Sequence, residues 1–361
     1  MSRHEERIGR LRHAFRREGL DALLVAGDAN VTYLSGFSGD SSYLLVGLDR
    51  AWLITDGRYT EQAAAEAPHC EVERQKTTLA KKTAEVFTSS GAKSLGFSPA
   101  ELTVAVHGDL VEALDGVVPA AAKDLVEKLR QVKDEDEIER IRRAAEVADA
   151  AFRAIRARLA PGQTEAEVAS DLEHEMRKLG ARKASFDTIV AARQRSSLPH
   201  AQPTDQPIAP GDAVLIDWGA RRDLYCSDCT RVLFLTAPNA RWREVYGAVR
   251  RGQQLALEAV RPGAALRDVD DAARRHIAEA GLGESFSHGL GHGVGLCVHE
   301  GPGLNTRAEG TLAEGMVVTI EPGVYLPGWG GVRIEDLVVV RKDGPEVLSS
   351  LPKDLEAAIL C

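Results

Sequence analysis

Four acidic residues occupy matching positions in two segments whose sequences are typical of β-hairpins. In the first segment, AVLIDWGARRDLYCSDCTRVLF, a two-residue turn at Arg222-Asp223 would place Asp217 directly opposite Asp228. In the second, VVTIEPGVYLPGWGGVRIEDLVVV, a turn at the centre of the glycine-rich stretch would place Glu321 opposite Glu335. Residues paired in this way have Cβ atoms about 4.5–5.5 Å apart, and like charges at that distance are destabilising.

The chemistry that tolerates such pairs is metal binding. The strands around the carboxylates are apolar, so we expect the carboxylates to be buried, and buried like charges require cations. The alternative is that bulges change the register and water solvates the four residues, but the recurrence of the pair in two segments favours a metal site. Two divalent cations about 3.5–4 Å apart would hold a hydroxide and polarise a carbonyl. The predicted reaction class is therefore metal-assisted hydrolysis.

Histidines that could complete the site are concentrated in the segment SFSHGLGHGVGLCVHEGPG. It carries His288, His292 and His299 among glycines, which are poor helix formers, so a helical zinc motif is not expected. A lone histidine is more often a surface or core residue, but three so close together favour a site. His200 lies on a proline-flanked loop and is either loop decoration or a fourth active-site histidine, and spacing leaves both open.

The C-x-x-C sequence formed by Cys226 and Cys229 fits neither a redox motif nor a zinc motif. It lies inside a predicted strand, whereas redox pairs lie at a helix N-terminus. A four-cysteine zinc site would need a second pair, which the sequence lacks. The two cysteines are therefore predicted to be packing thiols.

An internal repeat is predicted to position the carboxylates. Two predicted helices, one running through Val168 to Gly180 and the other through Val269 to Gly281, each follow a Pro-Gly pair. Thr164 and Glu167 form a capping box at the start of the first. Strand-like stretches, DAVLI and MVVTI, then lead from a glycine to the first carboxylate of each pair. This order predicts two duplicated halves with a cleft between them.

Composition excludes several classes of partner. The chain has 361 residues, 44% of them hydrophobic, and 54 acidic against 45 basic residues give a net charge of −9. That balance argues against a nucleic-acid partner. No apolar run approaches the roughly 18 residues of a membrane helix, so no membrane partner is expected. The five scattered cysteines do not fit a secreted disulfide scaffold, and the N-terminal segment is predicted to be a helix rather than a transit peptide. We therefore expect a cytoplasmic protein.

Hydrophobic patterns divide the chain into two predicted domains. The first, residues 1–125, alternates strands and helices, with strands near 21–26 and 42–55, and is predicted to be a small α/β domain. The second, residues 126–361, opens with a long amphipathic helix that ends before Pro161-Gly162. It contains the repeat and every motif described above.

Taken together, these motifs resemble the pita-bread metallopeptidases, and in particular the aminopeptidase P and prolidase (Xaa-Pro peptidase) branch. The matching segments, in chain order, are SFDTIVA…LPHAQPTD, DWGA…CSDCTR, HGLGHGVGLCVHE, TIEPGVY and GGVRIED. The resemblance implies a creatinase/prolidase-like α/β N-terminal domain. It also implies an α+β pita-bread catalytic domain with pseudo-twofold halves, and a homodimer or higher homo-oligomer.

By motif position, the resemblance assigns five ligands to a dinuclear metal centre. They are Asp217, Asp228, His292, Glu321 and Glu335. Asp228 and Glu335 would bridge the two ions, and Glu321 would also act as general base. The ions would be Mn²⁺, with Co²⁺ or Zn²⁺ as alternatives, in keeping with a carboxylate-rich site that has one imidazole.

The resemblance also assigns catalytic residues around the metals. His288 and His299 would stabilise the tetrahedral intermediate and bind substrate. His200 matches the histidine that closes over the scissile bond, and Arg333 matches the arginine behind the glutamate ligand.

The expected activity is release of the N-terminal residue from peptides with proline in second position, by attack of a metal-bridging hydroxide on the carbonyl. The Xaa-Pro bond has no N–H for a general peptidase to grip, and a metal pair does not need one. The compact chain, with short loops around residues 302–314, resembles the small bacterial aminopeptidases P, and this resemblance favours aminopeptidase P over the alternative, an Xaa-Pro dipeptidase (prolidase). A dipeptidase must bind the free proline carboxylate, for which Arg307 is a candidate that its sequence context does not place in the site. The intact ligand set disfavours a third possibility, a non-catalytic pita-bread peptide-binding protein.

Overall fold

The structure is a computed structural model that describes residues 2–360. It divides into two compact units between Arg130 and Gln131. The boundary predicted at residue 125 lies close to this division and stays a prediction. Within the described residues, no helix combines the length and the apolar character that crossing a membrane requires.

The first unit is built on a six-stranded mixed sheet with the strand order β4-β3-β2-β1-β5-β6. Its strands are β1 (Ala22–Val25), β2 (Tyr43–Gly47), β3 (Ala51–Thr55), β4 (Glu71–Arg74), β5 (Leu95–Phe97) and β6 (Ala120–Ala121). Its helices are α1 (Arg3–Arg17), α2 (Asp28–Ser35), α3 (Thr60–Glu66), α4 (Leu79–Ser90), α5 (Val104–Ala113) and α6 (Leu125–Gln131), the last of which ends at the division. The predicted amphipathic first helix is confirmed, because Ile8, Leu11 and Phe15 are all buried.

The second unit contains the remaining helices and strands of the described chain. The helices are α7 (Glu135–Arg156), α8 (Glu165–Lys178), α9 (Ala240–Ala259), α10 (Leu266–Glu279) and α11 (Leu355–Ala358). The strands are β7 (Lys183–Ala184), β8 (Ile189–Ala192), β9 (Ala213–Trp218), β10 (Ala220–Arg222), β11 (Tyr225–Cys226), β12 (Cys229–Phe234), β13 (Gly291–Gly293), β14 (Glu300–Leu304), β15 (Val317–Ile320), β16 (Gly323–Leu326), β17 (Gly330–Arg333), β18 (Asp336–Arg341) and β19 (Gly344–Val347).

The predicted repeat is visible in this second unit. Helix α8 precedes a sheet with the order β12-β9-β8, and helix α10 precedes a sheet with the order β14-β13-β15-β18-β19. Gly211 and Gly315, which lead into β9 and β15, both have a φ of 85°, a left-handed conformation that glycine adopts without strain. The capping box of Thr164 and Glu167 is present at the start of α8. The mixed α/β architecture and the duplicated halves are therefore confirmed.

The register of the first carboxylate hairpin differs from the prediction by two residues. Asp217 pairs with Thr230, not with Asp228. The turn lies at Asp223 and Leu224, which have φ values of 49° and 75°. A tight hairpin turn of this kind needs positive φ at both positions, and leucine gives no sequence signal for it. Because side chains alternate along a strand, a shift of two residues keeps each carboxylate on its predicted face.

The register of the second carboxylate hairpin is as predicted. Ile320 pairs with Asp336 on one side, and Gly323 pairs with Arg333 on the other. Both pairs are centred on Gly328, so Glu321 and Glu335 lie level with each other between them.

The cysteines are confirmed as packing thiols. Cys226 and Cys229 are free and buried. Burial raises the pKa of the Cys226 thiol to about 11 and that of Cys229 well above its ordinary value. Both are therefore protonated and unreactive near neutral pH.

Substitution of Gly219, which lies between β9 and β10, tests the packing of the first hairpin. A Cβ atom there would lie 1.9 Å from the backbone oxygen of Ser227, whereas one at Gly247, in helix α9, would meet nothing within 4 Å. We expect Gly219→Ala to lower the free energy of unfolding by about 1–3 kcal/mol, and Gly247→Ala to raise it by roughly 0.5–1 kcal/mol. Urea unfolding measures both. Equal effects of the two substitutions would contradict the packing described.

Candidate active site

A cavity of about 830 Å³ in the second unit holds the candidate site. All nine residues to which the sequence assigns a role line this cavity: His200, Asp217, Asp228, His288, His292, His299, Glu321, Arg333 and Glu335. They come from segments up to 135 residues apart in the chain, so the fold brings together what the sequence keeps separate.

The ends of four strands position the carboxylates. Asp217 lies in β9, and Asp228 immediately precedes β12, so one hairpin supplies both. Glu321 follows β15 and Glu335 precedes β18, so the other hairpin supplies the second pair. His292 lies in β13, the strand next to β15. Each half of the repeat therefore contributes two carboxylates to one centre.

The ligand atoms of these residues form three overlapping groups, each with its atoms within 4.8 Å of one another. The groups are Asp217 with Asp228 and Glu335, His292 with Glu321 and Glu335, and Asp228 with His292 and His299. Asp228, His292 and Glu335 each belong to two of the groups. Of these three, the carboxylates of Asp228 and Glu335 have the two oxygens that a ligand shared between two cations would require.

Two unsatisfied atoms show that the residues fit such cations. Among the described residues, the Oδ1 atom of Asp217 and the Oε1 atom of Glu335 are buried and have no hydrogen-bond partner. An unsatisfied buried acceptor is costly, and a divalent cation would satisfy it. Carboxylate oxygens with one imidazole suit Mn²⁺, Co²⁺ and Zn²⁺.

The electrostatics of the carboxylates point the same way. Burial, followed by the charges of neighbouring carboxylates, raises the pKa of Asp228 and of Glu335 well above their ordinary values. Burial also raises the pKa of Asp217, against the opposing effect of Arg333. For Glu321, burial acts upward, but the hydrogen bond and charge of His292 outweigh it and lower the pKa to about 2. Without cations, ionising all four carboxylates at once is energetically unfavourable.

Arg333 connects the two hairpins from behind the carboxylates. Its buried guanidinium donates from Nη2 to Asp217 Oδ2 at 2.5 Å and from Nε to the hydroxyl of Thr230 at 3.0 Å. The Thr230 hydroxyl in turn donates to Glu335 Oε2 at 2.7 Å. The Nη1 atom of Arg333 donates to the hydroxyl of Tyr325 at 2.7 Å. Asp217 and Glu335 thus each accept a hydrogen bond through one carboxylate oxygen, and the other oxygen of each is available to a cation.

A second buried threonine holds the other side of the site. Thr319 donates from its hydroxyl to Glu321 Oε1 at 2.9 Å and accepts from the backbone N–H of His292 at 3.0 Å. The Nδ1 atom of His292 lies 3.1 Å from the carbonyl oxygen of Gly293, which fixes Nδ1 as the protonated nitrogen. The Nε2 atom faces Glu321 Oε1, 3.2 Å away, and donates to it when no metal is bound. Loss of that proton would free the Nε2 lone pair for a metal.

The remaining histidines surround the carboxylates. His288 contacts the carbonyl oxygen of Gly289 through Nδ1 at 2.7 Å and the hydroxyl of Tyr325 through Nε2 at 3.0 Å. Burial lowers the pKa of His288, so it is neutral near pH 7. His299 is exposed and packs edge-on against the ring of His292. His200 is exposed on its loop and lines the same cavity.

Sequence analysis missed three residues of this network: Thr230, Thr319 and Tyr325. The correct hairpin register would have found Thr230, because it lies directly opposite Asp217. Tyr325 lies in the motif TIEPGVY, but no local signal indicates that its hydroxyl joins Arg333 to His288. The structure also places Arg307 on the cavity wall.

The repulsion among the carboxylates predicts the behaviour of the metal-free protein. The raised pKa of Glu335 stabilises the folded state fully below its ordinary value of 4.5, and this contribution is lost as the pH rises through the raised pKa. In chelator, we expect Glu335→Gln to be more stable than the wild type above pH 4.5 and to lose less stability as the pH rises. In saturating Mn²⁺ the order should reverse. Urea unfolding over a pH series measures this, and identical curves for both proteins would contradict it.

Models of known protein families match both parts of the chain. The model of the creatinase/prolidase N-terminal domain matches residues 7–132, and that of metallopeptidase family M24 matches residues 139–342. An Xaa-Pro dipeptidase of Pyrococcus horikoshii is 38% identical over 97% of this chain and 98% of its own.

Solved structures give the same result. An Xaa-Pro dipeptidase from Bacillus anthracis superposes with a TM-score of 0.96 at 40% identity, covering 99% of this chain and 100% of that one. An X-Pro aminopeptidase from Thermotoga maritima superposes with a TM-score of 0.87 at 37% identity, covering 95% and 99%. The chain therefore belongs to metallopeptidase family M24, with a creatinase/prolidase N-terminal domain preceding the catalytic domain.

Proposed function

We propose that this metallopeptidase is an Xaa-Pro dipeptidase that hydrolyses dipeptides with C-terminal proline. The observation that carries the proposal is the position of Arg307, an exposed cation on the wall of the cavity that also holds the candidate metal ligands. A dipeptidase needs a cation to bind the free carboxylate of proline, and an arginine can bind it through two parallel hydrogen bonds. The dipeptidases among the similar proteins support this choice over aminopeptidase P, which the sequence alone favours.

We propose the five ligands Asp217, Asp228, His292, Glu321 and Glu335 for two Mn²⁺ ions, with Co²⁺ or Zn²⁺ as alternatives. When bound, the ions polarise the scissile carbonyl and lower the pKa of the attacking water. The oxygen-rich ligand set and the unsatisfied oxygens of Asp217 and Glu335 support this assignment. The homo-oligomer and the cytoplasmic location rest on the sequence alone and stay predictions.

The chain's own residues would move the protons. Glu321, as general base, accepts a proton from the attacking water. The oxygen of that water bonds to the carbonyl carbon, and the bond from this carbon to the proline nitrogen breaks. The nitrogen has no proton of its own, so Glu321 delivers the accepted proton to it.

Other side chains would hold the substrate. We assign His288 and His299 to substrate binding and to stabilisation of the tetrahedral intermediate, and His200 to the leaving side of the scissile bond. All three line the cavity. Arg333 keeps the carboxylate of Asp217 in place, and its role is that of a positioning residue.

Substrate length and charge test the dipeptidase proposal. The Mn²⁺-loaded protein is expected to cleave Ala-Pro with a kcat/KM at least about tenfold higher than for Ala-Pro-Ala or Ala-Pro-amide, because only Ala-Pro offers proline's carboxylate to Arg307. Arg307→Ala should raise KM for Ala-Pro by about 10–100-fold, as expected for a lost charge-assisted hydrogen bond. Arg267→Ala, at an exposed arginine outside the cavity, is the control. Efficient cleavage of Ala-Pro-Ala with none of Ala-Pro would instead establish an aminopeptidase.

Loss of a shared ligand tests the metallopeptidase proposal itself. We expect Glu335→Ala to reduce kcat/KM by more than the roughly 10–100-fold that an outer-shell partner contributes, with the far-UV circular dichroism spectrum unchanged. Glu309→Ala, at an exposed glutamate, should keep wild-type activity. Undiminished turnover by Glu335→Ala would remove Glu335 from the site.

A further inference from the structure

Helix α10 carries a buried ion pair beside the candidate active site. Asp270 is fully buried. It accepts two hydrogen bonds from Arg274, from Nε at 2.8 Å and from Nη2 at 2.9 Å. Arg274 also lines the cavity. This Asp270–Arg274 pair has no place in the chemistry proposed above, so its partners show what it does.

The pair is bonded to three points of the loop that carries His288. Arg274 donates from Nη1 to the carbonyl oxygen of Phe286 at 2.9 Å and from Nη2 to that of His288 at 2.7 Å. Its guanidinium also lies 4.1 Å from the centre of the Phe286 ring. Asp270 accepts from the backbone N–H of Leu290 at 2.9 Å. The loop is thus fixed on both sides of His288.

Beyond the loop, the same contacts reach the proposed general base. The carbonyl oxygen of Leu290 accepts from the backbone N–H of Glu321 at 2.9 Å. The imidazole of His288 reaches the hydroxyl of Tyr325, which Arg333 also contacts. Displacement of the loop would therefore move both the imidazole of His288 and the backbone contact between Leu290 and Glu321.

The hydrogen bonds that Arg274 already makes leave it unsuited to bidentate binding of a substrate carboxylate. A guanidinium has five N–H groups, and four of those of Arg274 are donated to Asp270, Phe286 and His288. Too few remain for bidentate binding of a carboxylate. Arg307 is therefore the better candidate for that role, and Arg274 acts through the loop.

We propose that Asp270 and Arg274 are positioning residues, which hold His288 against Tyr325 and so set the geometry of the reacting site. The proposal rests on the proposed peptidase function. Misplacement of a catalytic group by about 1 Å can cost about 100-fold in rate. The pair should thus influence kcat more than KM.

The neighbouring arginine provides a matched control. Arg275 pairs with Asp271 at 3.0 Å with the same spacing along α10, but its side chain is 72% exposed. We expect Arg274→Gln to lower kcat for Ala-Pro by about 10–100-fold, with a smaller change in KM, and Arg275→Gln to leave both unchanged. Arg274→Lys keeps the charge without the planar fork, so it should restore only part of the rate. If Arg274→Gln does not fold, Arg274→Lys tests the proposal in its place.

A double-mutant cycle separates positioning from general damage. In a His288→Ala background, Arg274→Gln or Arg274→Lys should cost little more, because the group being positioned is gone. The same fold-loss in both backgrounds, or equal behaviour of the Arg274 and Arg275 variants, would overturn the proposal.

A readout that needs no turnover keeps this proposal distinct from the peptidase function. In the Zn²⁺-loaded protein with ¹⁵N-labelled histidine, the ring signals of His288 are assigned by their loss in His288→Ala. They should shift in Arg274→Lys and stay in place in Arg275→Gln. Unshifted signals in Arg274→Lys would refute the positioning role. Failure of the wild type to cleave any Xaa-Pro peptide would refute the peptidase function instead.

Discussion

Four carboxylates lie close together in a largely buried cluster, and the second unit depends on how their mutual repulsion is offset. Asp228 and Glu335 are 5% and 1% exposed, and burial raises the pKa of both. A folded chain would not keep such a cluster for stability, because unpaired buried charges are costly. Divalent cations would offset that cost, and the surrounding structure is arranged to present the carboxylate oxygens to them.

The duplicated halves explain how one chain assembles the cluster. Each half contributes a hairpin with two carboxylates, and the contacts between the hairpins run through buried side chains. Between the hairpins, Arg333 and Thr230 link Asp217 to Glu335. Within the second half, Thr319 links Glu321 to His292. These side chains bond one oxygen of a carboxylate or fix the orientation of the imidazole. They thereby restrict the candidate ligands to positions in which the remaining lone pairs converge.

Much of this site could be predicted from the sequence because its signals are local. Apolar flanks, repeated carboxylates and a dense group of histidines all lie within short segments. The register of the second hairpin followed from its glycines. The first differed by two residues because its turn places Leu224 in a left-handed conformation that leucine rarely adopts. Since the shift is even, the predicted ligands still share a face.

The residues that sequence analysis missed depend on tertiary packing. Tyr325 reaches His288 only because β16 and β17 pair beside it. Arg274 reaches the loop that carries His288 only because α10 packs against that loop, which begins twelve residues further along the chain. Arg307 carried no positional information until the fold put it on the cavity wall. Under the proposed function, that position rather than the ligand set separates the two Xaa-Pro activities, since both would use the same metal chemistry.

The number of cations bound per chain tests the central claim most directly. After reconstitution with Mn²⁺ and removal of the free ion by gel filtration, metal analysis by mass spectrometry should find two ions per wild-type chain. The count should fall when Asp228 or Glu335 is replaced by alanine. A wild-type chain that retains no divalent cation would contradict the account. The fold would then tolerate the buried carboxylates without cations to offset their repulsion.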